Sequence, residues 1–143
     1  MDDFSMGLQK VFLLMLLVAF FLCLQFLIRF WVVTVVHIEI VCNSGGAFGI
    51  SLPVWLFILI DSLVVIVMAM VWWKDRNRAF GWPWLLILSG GLGNLLERVL
   101  FGCIMDYVRI PFFPMFNIAD VALTIGVIGV SFRWYIDDKK KLQ

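Results

Sequence analysis

Four runs of apolar residues set the limits on what this chain can fold into: Leu8 to Ile28, Pro53 to Trp73, Pro83 to Phe101 and Met115 to Ile136. About 20 residues of helix cross the ~30 Å hydrocarbon of a bilayer. Without water there, backbone amides must bond within their own helix. The pattern predicts an all-α integral membrane protein with four transmembrane helices. The first run is not read as a cleaved secretory signal, because it opens on Asp2 and Asp3, its apolar region is too long and no small-residue cleavage site follows. No repeat, linker or low-complexity stretch interrupts the pattern, so residues 1–143 are read as a single integral-membrane domain.

Charge placement sets the expected orientation. The net charge is +1, with no basic patch to suggest nucleic acid and no acidic tail. Lys74, Arg76 and Arg78 lie between the second and third runs, Arg133 and Lys139 to Lys141 lie near the end, and Lys10 lies near the start. Positive charge favours the cytoplasmic side, which predicts cytoplasmic N and C termini and outward loops over 29–52 and 102–114. The stretch WVVTVVHIEIV, residues 31–41, is dense in β-branched residues and alternates His37 and Glu39 with apolar neighbours. It predicts a short strand on the outer membrane surface, ending at the turn signal NSGG.

Cys23, Cys42 and Cys103 are odd in number and too scattered for a zinc or haem motif. They read as small buried hydrophobes, with a Cys42–Cys103 disulfide as the less favoured alternative because it depends on geometry. His37 is the single histidine and cannot form a two-histidine haem site. No metal or cofactor is expected.

Polar side chains collect near the outer ends of the runs. Charged groups in lipid are expensive and rare without a partner or a task. Asn94, Glu97 and Arg98 fall at helical spacing, Asn117, Asp120 and Thr124 repeat it, Asp106 follows the third run and Asn43 ends the strand. A lone Asn in a span is ordinarily glue between helices, and Gly90, Gly91 and Gly93 allow close approach without chemistry. Convergence of this many groups at one depth favours a site. Asp61, midway through the second run, reads as a hydrogen-bonded or protonated interior acid, paired with Arg98, rather than as a catalyst.

Pro111 and Pro114 suit a brief non-helical return between Asp106 and Asp120. Two adjacent carboxyls share a proton. The ionised one can take a proton from water attacking a peptide carbonyl while the protonated one hydrogen-bonds the carbonyl oxygen. This is aspartic protease chemistry.

The segments NSGGAFG at 43–49, GGLGNLLER at 90–98, MDY around Asp106 and FNIAD at 116–120 resemble, in order and membrane side, the motifs of the lipoprotein signal peptidase (signal peptidase II) family. The resemblance implies a four-helix aspartic endopeptidase of the bacterial inner membrane with a small periplasmic β-cradle. Such an enzyme cuts the signal peptide from prolipoproteins before a diacylglyceryl-modified cysteine. It further implies Asp106 and Asp120 as the catalytic pair, Asn43, Asn94, Arg98 and Asn117 as substrate-binding or site-ordering residues, contact with membrane lipid and inhibition by globomycin-type peptides; a monomer is expected. The chain departs from the family pattern at Glu97, where Asp is usual, at Cys42 and at Gly46. Its first span also lacks the usual Asp and Lys four apart: Leu24 and Ile28 stand at the expected positions, with Gln25 and Arg29 beside them. A non-catalytic membrane carrier or assembly factor derived from the same fold is the alternative.

Overall fold

A computed structural model describes residues 2–46, 50–75 and 81–141. Ala47, Phe48 and Gly49 of the NSGGAFG segment, Arg76 and Arg78 of the basic loop, and the side chains of Lys10 and Lys141 lie outside the described residues. The elements run α1 (Asp2–Thr34), β1 (Val41–Asn43), α2 (Val54–Asp75), α3 (Trp82–Phe101), β2 (Ile104–Asp106) and α4 (Ile118–Lys141). Among the described residues, four helices are long and apolar enough to cross a membrane, as the sequence predicts.

Helix α1 runs for 33 residues, about 50 Å at helical rise, and extends beyond the predicted span at both ends. Its extension absorbs Trp31 to Thr34, the start of the predicted strand. Strand propensity mostly reflects how side chains pack on a sheet. A chain leaving lipid with no sheet beside it satisfies its amides by continuing the helix, and the Thr34 hydroxyl donates to the Phe30 carbonyl at 2.7 Å. The helix closes where the N–H groups of Val35 and Val36 both donate to the Trp31 carbonyl and His37 turns left-handed at φ 55°. Only Val41–Asn43 remains as strand.

Strand β1 pairs antiparallel with β2, setting Val41 opposite Asp106, Cys42 opposite Met105 and Asn43 opposite Ile104. A disulfide joins Cys42 to Cys103, whose Cα atoms are 5.5 Å apart. This corrects the reading of both as free hydrophobes. Cys23 is exposed rather than buried, on a helix whose outward side chains are mostly apolar.

Helix α3 is the packing centre. Gly81 precedes it, Pro83 lies in its first turn, and Gly102 ends it in a left-handed conformation, φ 74°, with its N–H on the Arg98 carbonyl. Its contact with α4 depends on two glycines. A Cβ on Gly90 would lie 2.6 Å from the Ala119 carbonyl oxygen, and one on Gly126 would lie 2.7 Å from that of Pro83. The main apolar core, Leu14, Val18, Trp72, Trp84, Ile87, Leu88 and Val130, occupies the half of the bundle toward the termini. The polar side chains occupy the other half, beneath the sheet.

Candidate active site

Helix α4 begins three residues later than the apolar pattern suggests, because Asn117 caps it. The Asn117 Oδ1 accepts from the backbone N–H of Ala119 at 2.7 Å and of Asp120 at 3.1 Å. In return Asp120 Oδ2 accepts from the Asn117 N–H at 3.0 Å. This reciprocal capping box fixes the Asp120 carboxylate at the mouth of α4. Its other oxygen accepts from Asn94 Nδ2 at 2.7 Å.

The Asn117 amide nitrogen points away from the helix and links the remaining groups. It donates to Asn94 Oδ1 at 3.1 Å and to Asp106 Oδ1 at 3.3 Å. Asp106 Oδ2 accepts from Asn43 Nδ2 at 3.0 Å, and Asn43 Oδ1 accepts from the Gly45 N–H at 3.1 Å. The last bond is the local side-chain turn that NSGG foretells. Asn43, Asn94, Asp106, Asn117 and Asp120 thus form one connected network drawn from β1, α3, β2 and the start of α4. One residue, Asn117, touches both carboxylates.

Asp106 is 3% exposed. Burial pushes its carboxyl up from the usual value to about 6, and the nearby Asp120 charge adds to the rise, while donation from Asn43 and Asn117 opposes it. A carboxyl so placed retains a proton well above the ordinary carboxylate range. The Tyr107 phenol beside it is also raised by burial, and its oxygen accepts from the Ile118 N–H at 3.3 Å.

Arg98 stands one step outside this network. It forms an ion pair with Asp61, as predicted for that acid, and its Nη2 donates to the Gly45 carbonyl at 3.1 Å. The guanidinium also lies 4.8 Å from the Phe57 ring centroid. Arg98 therefore reaches the carboxylates through Gly45 and Asn43. Its buried Nε has no hydrogen-bond partner among the described residues.

A second support, the pairing of Arg29 with Glu97, was not legible in sequence as a contact. Arg29 Nη1 donates to Glu97 Oε1 at 2.9 Å, and Glu97 Oε2 accepts from the Met105 N–H at 2.8 Å. The pair ties the end of α1 to the residue preceding Asp106. Gln25, one turn before Arg29, is buried against Gly93, where any Cβ would collide with it. Gln25 and Arg29 are thus the α1 residues that face the site. The signal was present as two polar residues four apart in an otherwise apolar helix, but their rotation relative to α3 was not.

The fold and this network define a class, that of a multi-pass membrane protein with two carboxylates bridged by one asparagine beneath one end of its helices. A family model described as signal peptidase (SPase) II matches residues 11–136. The lipoprotein signal peptidase of Blochmanniella pennsylvanica is 34% identical over 108 residues, covering 68% of this chain and 66% of that protein. The lipoprotein signal peptidase of Halalkalibacterium halodurans is 39% identical over 108 residues, covering 69% of this chain and 67% of that protein. The matched parts span about two thirds of those relatives' own length. A bacterial membrane enzyme solved by the in meso method at 2.3 Å resolution superposes with a TM-score of 0.76 at 27% identity, covering 90% of each chain. The chain belongs to the signal peptidase II family. The non-catalytic carrier reading is not favoured by relatives that bear a peptidase name.

Proposed function

We propose that this chain is an aspartic endopeptidase that uses Asp106 and Asp120 to cut prolipoprotein signal peptides before a diacylglyceryl-modified cysteine. The observation that carries the reading is Asn117, one side chain and its own N–H holding carboxylates from two separate elements. Buried Asp106, with its raised carboxyl, carries the shared proton and donates it in a hydrogen bond to the scissile carbonyl oxygen. Asp120 takes a proton from the water that attacks the carbonyl carbon. The tetrahedral species collapses as the amine leaves with a proton returned by the pair. A bound substrate excludes water and favours the protonated form of Asp106 further. Asn43, Asn94 and Asn117 order the acids, and the Arg98 Nε–H, unpartnered among the described residues, meets a substrate carbonyl.

The enzyme works as a monomer and one domain in the bacterial inner membrane, with its site at the outer face. Two observations support that orientation. Lys74, Arg133, Lys139 and Lys140 lie toward the opposite end of the helices, as positive charge does on the cytoplasmic side. The Cys42–Cys103 disulfide lies on the site face, which suits an oxidising compartment. Globomycin-type peptides would occupy the same site.

The test is cleavage by the purified chain in liposomes, with diacylglyceryl-modified and unmodified forms of one precursor. The proposal expects a cut immediately before the modified cysteine, read by sequencing the released peptide, and slow or no cutting of the unmodified form. Equal cleavage of both would overturn the substrate assignment.

A further inference from the structure

The segment between β2 and α4 is a small hairpin. Its base is set by an isolated bridge between Val108 and Phe116, and the Phe113 N–H donates to the Ile110 carbonyl at 3.2 Å to close a turn. Pro111 pre-sets the first central position. The second is Phe112 at φ 65°, a conformation that glycine ordinarily supplies and that is an outlier for a bulky residue. Phe113 is tied down by an edge contact with Phe116, ring centroids 5.7 Å apart. Phe112 is fully exposed. A strained backbone presenting an unburied aromatic ring is the sort of outlier from which function is sought.

The rest of this face indicates what covers the ring. Each of the other helices carries an exposed aromatic residue in its last or first turn here: Trp31 on α1, Trp55 on α2 and Phe101 on α3. Aromatic rings at this level sit among lipid headgroups. Helix α4 has no such anchor, and no side chain from Ile118 to Leu123 is exposed. The hairpin leads directly into that helix. Its tip, Ile110 and Phe112, is exposed and apolar, and exposed Arg109 stands beside it, with a charge that complements lipid phosphate.

We infer that the hairpin tip is a membrane anchor, with Phe112 and Ile110 seated at the boundary between headgroups and acyl chains of the bilayer leaflet on the site face. It completes the aromatic belt at the α4 sector. Because the same hairpin carries Asp106 on one side and Asn117 on the other, it sets the depth at which the carboxylates meet a lipid-borne substrate. The anchoring itself does not depend on which residues are catalytic, while its consequence for depth rests on the proposed function.

The test is a nitroxide label on Phe112→Cys in a Cys23→Ser background, in liposomes of phosphatidylethanolamine and phosphatidylglycerol without substrate. Lys140→Cys is the water-exposed control, and Ile110→Cys gives a second reading if the first substitution disturbs the turn. The inference expects collision with oxygen, relative to a water-soluble nickel complex, to be several-fold higher at 112 and 110 than at 140. Ratios equal to the control would overturn it. So would ratios that rise only after diacylglyceryl-modified precursor is added, which would assign the tip to the substrate's acyl chains.

Discussion

Asp106→Asn should stabilise the protein at neutral pH and destabilise it in acid. Asp106 is 3% exposed and its carboxyl is raised from 3.8 to about 6. At about 1.4 kcal/mol per unit, keeping this group ionised in the folded state costs on the order of 3 kcal/mol relative to the unfolded chain. The folded state binds the proton more tightly, so its contribution is fully present below about pH 4, is lost as pH rises through about 6, and leaves the whole penalty above that. Asparagine removes the penalty. It also turns an NH2 toward one of the two donors, Asn43 or Asn117, a loss of about 1 kcal/mol. The net change is a gain of roughly 1–2 kcal/mol at pH 7.5 and a loss of about 1 kcal/mol at pH 4. Thermal unfolding in detergent, followed by tryptophan fluorescence across that range, should show the two curves crossing. A variant less stable than the parent at pH 7.5 would refute the reasoning.

Further tests address the supports of the site. Arg29→Met leaves Glu97 buried without its cation and should lower stability and turnover more than the double variant Arg29→Met/Glu97→Gln, since an orphaned charge is worse than a removed pair, by roughly 1–3 kcal/mol; equal loss in a double-mutant cycle would sever the link. Gly90→Ala places a Cβ against the Ala119 carbonyl and should cost about 1–3 kcal/mol in thermal stability, whereas unchanged stability would mean α3 and α4 part freely. Reducing Cys42–Cys103, which closes a separation of 61 residues, should lower stability by up to about 4 kcal/mol. It should also slow cleavage by freeing β1 and Asn43, with Cys23→Ser as the silent control.

What the sequence discloses follows from the physics behind each feature. The spans are plain because lipid imposes both a length and a composition. The Asp61–Arg98 pair is foreseeable, since a buried acid needs a partner. Asn117 and Asp120 are visible as a spacing, but that spacing reads equally as one face of a helix or as a capping box. Only the start of α4 at Ile118 decides for the box. Of the strand predicted over 31–41 only Val41 is in β1, which runs on to Asn43, because the chain meets β2 only from Val41 onward. The disulfide and the Arg29–Glu97 pair are contacts between elements far apart in the chain. Local pattern contains neither the rotation of α1 nor the register of the sheet.

The central claim is that Asp106 and Asp120 act together on one water molecule. Its most direct test is the cleavage rate of diacylglyceryl-modified precursor by Asp106→Asn and Asp120→Asn, each folded and reconstituted in liposomes. The account predicts that either change alone lowers the rate by about a thousandfold or more, because each acid is indispensable to the same step. A variant retaining a rate close to that of the unaltered chain would contradict it.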